Sequence, residues 1–194
     1  MAHDHAARTV VFVSSLGMGA ITFWNVYFDQ ALHVSTAAMG ALSATSWLAG
    51  TLAALAAPLL MARLGRPRTY ILALLTGAAS FASLGLAFSA LWAAVSYIVR
   101  LLAFYVSSPA AAVVQQTSVS PRWRSLMAGA GNMAATIAQT VTAFGGGYVI
   151  AALGYRPLFL GAAVLVATGA MLFWVWFGRA GGIAAAPTPA AAVQ

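Results

Sequence analysis

Residues 36–62 read TAAMGALSATSWLAGTLAALAAPLLMA, and RLGRPR follows at 63–68. No charged residue stands between Thr36 and Ala62, and the run then ends in three arginines set around a glycine and a proline. A bilayer core of about 30 Å takes roughly 20 apolar residues as a helix, so this run is long enough to cross one. Working outward, five more runs have the same character: Val10–Phe28, Thr69–Phe88, Leu91–Gln116, Ser125–Leu153 and Leu158–Phe177. Short breaks separate them at 29–35, 63–68, 89–90, 117–124 and 154–157. None alternates with a period of two, which argues against barrel strands. The first run is long, ends in polar and aromatic residues and lacks a small-residue cleavage site, so it is not a secretory signal. The pattern predicts an all-α membrane protein with six transmembrane helices.

Composition agrees. Of 194 residues, 62% are hydrophobic and 6% charged, against about 25% charged in an ordinary soluble domain. That excludes a typical cytosolic enzyme. The net charge of +7 comes from arginines scattered between apolar runs rather than gathered in a stripe, so no nucleic-acid partner is expected. There is no cysteine, hence no disulfide, thiol chemistry or cysteine metal site. The histidines, His3, His5 and His33, all lie outside the runs and form no catalytic or metal-binding set. Without lysine there is no phosphate-binding loop of the Walker type. Neither cofactor nor metal is expected, nor enzymatic activity.

The arginines set the orientation. With the N-terminus inside, Arg8, Arg63, Arg66, Arg68, Arg122, Arg124 and Arg179 are cytoplasmic and only Arg156 is opposite, the bias that inner-membrane proteins show. The expected organisation is a cytoplasmic tail at 1–9, a six-helix domain at 10–177 and a disordered cytoplasmic tail at 178–194, rich in Ala, Gly and Pro. Within the domain, LGRP at 64–67 and LGYRP at 153–157 recur 89 residues apart, with an odd number of runs between them. This spacing suits two inverted three-helix repeats. The third and sixth runs carry few polar side chains and are expected to face lipid. The second and fifth, rich in Gly, Ala and Ser, are expected to serve as packing elements.

The candidate site residues lie on the first and fourth runs. Arg100 falls about ten residues into its run, on the order of 15 Å deep by helical rise. A cation there costs at least ~2.5–3.5 kcal/mol on insertion scales. It is either a solute anchor or gating counter-ion, or a tie between helices through backbone carbonyls. Tyr97, Phe104 and Ser107 share its face. Asp29 is the only carboxylate beyond the N-terminal stretch and stands at the outer end of its run, a position that also suits a cap. Asn25 lies one turn deeper. Trp24, Tyr27 and Trp92 read as an interfacial belt or as part of a binding wall. Gln115 and Gln116 are candidates for the inner vestibule, and Pro109 for a hinge.

The sequence resembles half of a major facilitator superfamily transporter, its C-terminal half in particular, over about Val10–Phe177. PLLMARLGRPR at 58–68 resembles the family's signature between the second and third helices of a half, with Pro58 in place of its first glycine and Ala62 in place of its acid. Tyr97-x-x-Arg100, SSP at 107–109, PRWR at 121–124, Gly145-Gly146-Gly147 and GYR at 154–156 add to the likeness. The resemblance implies a cytoplasmic gate at Arg63, Gly65, Arg66 and Arg68. It also implies a cavity lined by the first helix of each triplet, contact between halves through the second helices, and transport of a small solute by alternating access. It implies a second six-helix half, this chain again or a separate one. The other reading is a non-transporting membrane subunit or a truncated remnant of a twelve-helix protein.

Overall fold

The computed structural model describes residues 13–117 and 121–175, without the side chains of 114–117, 121 and 127. The two expected tails lie outside the described residues. Six helical segments follow one another, and no strand occurs among the described residues. Helix α1 spans 13–31 and changes pitch along its length. An α-helical stretch at 13–19 leads to a tight 3₁₀ turn at Ala20–Phe23, then Trp24–Val26 and a wide π turn at Tyr27–Ala31. Regular helices follow: α2 (Thr36–Leu64), α3 (Arg66–Gly85), α4 (Ala90–Thr117), α5 (Arg124–Leu153) and α6 (Tyr155–Phe173). Pro121–Trp123 forms a 3₁₀ turn ahead of α5. Among the described residues, four helices are long and apolar enough to cross a membrane: α2, α4 over Ala90–Val113, α5 and α6. The first and third runs fall short of that measure. In α1 the pitch changes break the helix, and α3 opens on Arg66 and Arg68.

Local chemistry sets the boundaries. Ser35 caps α2 by accepting the Ala38 N–H at 3.3 Å. The expected six-residue break at 63–68 contracts to Gly65 alone, which ends α2 and begins α3 with φ 85°. That left-handed region carries little penalty only without a Cβ. Pro67 follows in the first turn of α3, where a missing N–H costs nothing. Gly154 repeats the device with φ 83° between α5 and α6. Neither internal proline stops its helix: α2 runs through Pro58, and α4 through Pro109.

The core corrects one expectation. The sparsely polar third and sixth runs, expected against lipid, pack on each other at the centre as α3 and α6. The rings of Phe81 and Phe159 stack there at 6.4 Å, and Tyr70 meets Phe173 edge-on at 4.8 Å. Few polar side chains make a helix cheap to enclose on several sides, which serves a core as well as lipid. Only the outer flanks of this pair are open, at Leu72 and Leu75 on α3 and Val164 and Met171 on α6. Conversely, α2 and α5 are the least enclosed helices. Gly129, Gly145 and Gly147 have no neighbour within 4 Å of where a Cβ would stand, so most of their small-residue surface is not used inside the chain. Two glycines are used. Gly50 takes the ring of Tyr105 from α4, and Gly146 takes Phe23, 2.5 Å from where its Cβ would be.

Contacts fix the direction of the helices. Tyr27 at the end of α1 donates to the Leu84 carbonyl at the end of α3 (3.5 Å), and its ring lies 5.3 Å from that of Tyr155 at the start of α6. Ser14, near the start of α1, touches Gly169 near the end of α6. Thus α1 and α3 run one way and α6 the other. Trp92 and Ser96, early in α4, bond Ser83, late in α3, so α4 also runs opposite to α3.

Candidate functional site

Spacing of three, four and three along α4 brings Tyr97, Arg100, Phe104 and Ser107 to one side of the helix. Arg100 is the buried charge of the fold, 3% exposed. Its guanidinium carbon lies 4.8 Å from the ring centre of Phe81 on α3 and 5.8 Å from that of Phe104. Across the seam is Gly77, whose missing side chain leaves room beside the Arg100 Cδ. Arg100 Nε is buried without a hydrogen-bond partner. Among the described residues no carbonyl accepts from Nε, and the Ser107 hydroxyl donates instead to the Phe104 carbonyl at 3.1 Å.

Helix α1 closes the site from the other side. Trp24 stacks on Tyr97 with centroids 4.4 Å apart and planes inclined by 26°. Phe28 meets both rings edge-on, at 5.8 Å from Trp24 and 6.2 Å from Tyr97. Trp24 therefore turns toward α4 and is half-buried. Trp92 is 47% exposed and anchored, its indole N–H donating to the Ser83 hydroxyl at 2.9 Å.

The remaining candidates are not gathered at Arg100. Asn25 and Asp29 are exposed. Asp29 belongs to the rim at the end of α1, where Tyr155 donates to the Gln30 side chain at 3.1 Å and Arg156 Nε to the Gly85 carbonyl at 3.2 Å. Gln115 and Gln116 continue α4 in backbone, but their side chains lie outside those described. Arg63, Arg66 and Arg68 are exposed around Gly65. Sequence reading missed Phe81, Gly77 and the Gly50–Tyr105 crossing. Phe81 had a signal, as the one aromatic residue in the Ala-, Ser- and Gly-rich second half of α3.

A separate crevice of about 220 Å³ opens between α1, α5 and α6, with Leu16, Ala20, Gly146, Leu158 and Leu165 on its walls. Thr142, its hydroxyl-bearing side chain, donates to the Leu16 carbonyl at 2.7 Å, so the crevice offers no reactive group. No cluster of His, Cys, Asp or Glu able to hold a metal occurs among the described residues.

Comparison with protein families matches residues 9–193 to the family described as Major Facilitator Superfamily. No curated protein and no solved structure matches the chain.

Proposed function

Because this chain belongs to the Major Facilitator Superfamily, a family of membrane transporters, we propose that it forms one six-helix half of a secondary transporter. It carries a small solute by alternating access, one half rocking against the other about a site near the midplane. In this reading α1 and α3 cross the membrane along with the four long apolar helices. Both termini are cytoplasmic, the membrane is the inner membrane of a bacterium, and the halves of the chain are inverted three-helix repeats. The paired elbows support the repeat: α2 and α5 have 29 and 30 residues, α3 and α6 have 20 and 19, and each pair is joined by one left-handed glycine.

The observation that carries the reading is the buried Arg100 beside the Trp24–Tyr97 stack, on the two helices the reading assigns to the cavity. A charge held at such cost with no partner for Nε is hard to explain in a scaffold. Asn25, Asp29, Ser107, Gln115 and Gln116 complete the cavity in this reading, and Arg63, Gly65, Arg66 and Arg68 form the cytoplasmic gate. The open faces of α2 and α5 support a second half, with Leu48, Leu52 and Leu55 on one and Ile137, Val141 and Phe144 on the other, all more than half exposed. That half is a second copy or a separate chain.

The test is flux in proteoliposomes carrying the assembled transporter, measured over a panel of labelled small solutes. A saturable flux lost in Arg100→Ala supports the reading. A fold that survives while no solute moves, in wild type or variant, identifies a non-transporting subunit.

A further inference from the structure

Arg100 also says what kind of solute fits, and this deepening rests on the cavity reading above. The chain has two side-chain carboxylates, Asp4 and Asp29. Asp4 precedes the described residues, and the ring contacts of Arg100 are with Phe81 on α3 and Phe104 on its own helix. Asp29 stands exposed on the rim, where its field falls on Tyr155. Among the described residues, therefore, a guanidinium is enclosed to 3% exposure without a carboxylate beside it. Two aromatic faces hold it in place, but a cation–π contact contributes only part of what enclosing a lone charge costs. A guanidinium presents its N–H donors as a planar fork that matches a carboxylate in a two-point contact. Arg100 Nε, which belongs to that fork, has no acceptor.

The walls define the rest of the ligand. Phe81 and Phe104 present ring surface to the guanidinium, and Tyr97, one turn before Arg100 on α4, carries the stacked Trp24. The hydroxyl nearest along the helix, that of Ser107, already bonds its own backbone. Phe104, one of the two rings on the guanidinium, is 38% exposed. A strongly hydrated inorganic anion would lose its water here and gain no acceptor or donor beyond the fork. We propose that the site takes a small organic monocarboxylate with an apolar, preferably aromatic, body. Its carboxylate accepts from the Arg100 fork in a two-point contact, and its body replaces part of the contact that Phe104 and Tyr97 make at rest.

The probe is a charge series on one ring: benzoate, benzamide and benzylammonium, with inorganic phosphate as the bare anion, at matched ionic strength. The readout is thermal unfolding of the purified full chain in mild detergent, followed by tryptophan fluorescence. Benzoate is expected to raise the Tm by roughly 2–4 °C at about a fivefold excess over its Kd. Benzamide, benzylammonium and phosphate leave it unchanged, and Arg100→Gln abolishes the shift. Arg100→Lys keeps the charge but not the fork, and needs several-fold more benzoate for the same shift. The wild-type series alone decides the matter if a variant fails to fold. The inference is overturned if benzoate gives no shift, if benzamide or phosphate matches it, or if Arg100→Gln responds as wild type does. Saturable flux of an uncharged solute with no response to benzoate would sink this inference and leave the transporter reading standing. A benzoate shift in a protein that moves no solute would do the reverse.

Discussion

Gly65 and Gly154 share one backbone conformation, φ 85° and ψ 149° at the first and φ 83° and ψ −174° at the second, and each is the single residue between two long helices. A side chain at either position is strained because φ is positive, and the backbone is the whole cause, since neither glycine has a neighbour within 4 Å of its Cβ direction. Gly65→Ala and Gly154→Ala should therefore each destabilise the fold by about 1–2 kcal/mol through the backbone alone. Gly40, within α2 and equally free of neighbours, should gain about 0.5–1 kcal/mol on becoming Ala. Thermal melts of the three variants check the pair against the control. Equal melting of all three would remove the case for a repeated elbow.

The crossing of α2 and α4 gives the opposite kind of glycine. A Cβ on Gly50 would run into the ring of Tyr105. Gly50→Ala should cost about 1–3 kcal/mol by overpacking. Tyr105→Leu in the same chain should recover part of that loss, since it removes the ring edge. A double variant no more stable than Gly50→Ala would show that the clash lies elsewhere.

The stack of Trp24 on Tyr97 joins α1 to α4. A double-mutant cycle with Trp24→Leu and Tyr97→Leu should return a coupling of about 0.5–1.5 kcal/mol, the usual range for an aromatic pair. Coupling near zero would mean that the rings merely lie side by side and that the wall between α1 and α4 is not held by them.

At the contact of α1 with α5, the Thr142 hydroxyl donates to the Leu16 carbonyl at 2.7 Å. Thr142→Val keeps the shape and deletes the bond. In a membrane such bonds contribute about 0.6 kcal/mol on average and at most about 1.7 kcal/mol. The variant should melt slightly lower and fold normally, as read by circular dichroism. Gross unfolding would assign the residue a larger part than one hydrogen bond.

Much of the fold is legible in the apolar runs. The elbows at Gly65 and Gly154 follow from chain chemistry that acts within a few residues and fall inside the expected breaks at 63–68 and 154–157, each shortened to a single glycine. What the runs do not reveal is the neighbour of each face. Few polar side chains permit either lipid or a protein core around a helix, so the polarity of α3 and α6 does not distinguish the two environments, and the ring pair Phe81–Phe159 puts them at the centre. The irregular pitch of α1 at Ala20–Ala31 has no proline to announce it. At the site, Arg100 is legible because a charge in an apolar run is costly wherever it points. Phe81 stands out in the sequence only as an aromatic residue among small ones, and its meeting with Arg100 is set by the crossing of α3 and α4.

The central claim is that the α1–α4 site opens to one side of the membrane and then to the other. The chain has no cysteine, so single cysteines can be introduced without background. Ser107→Cys and Asn25→Cys, one on each of the two helices, would be labelled in the assembled transporter in sealed vesicles of both orientations, using a membrane-impermeant maleimide. The account predicts that Ser107→Cys is reached from either side, and that conditions which raise its labelling from one side lower that of Asn25→Cys from the same side. Labelling of Ser107→Cys from one side only, under every condition, would contradict alternating access and leave a membrane subunit that does not transport.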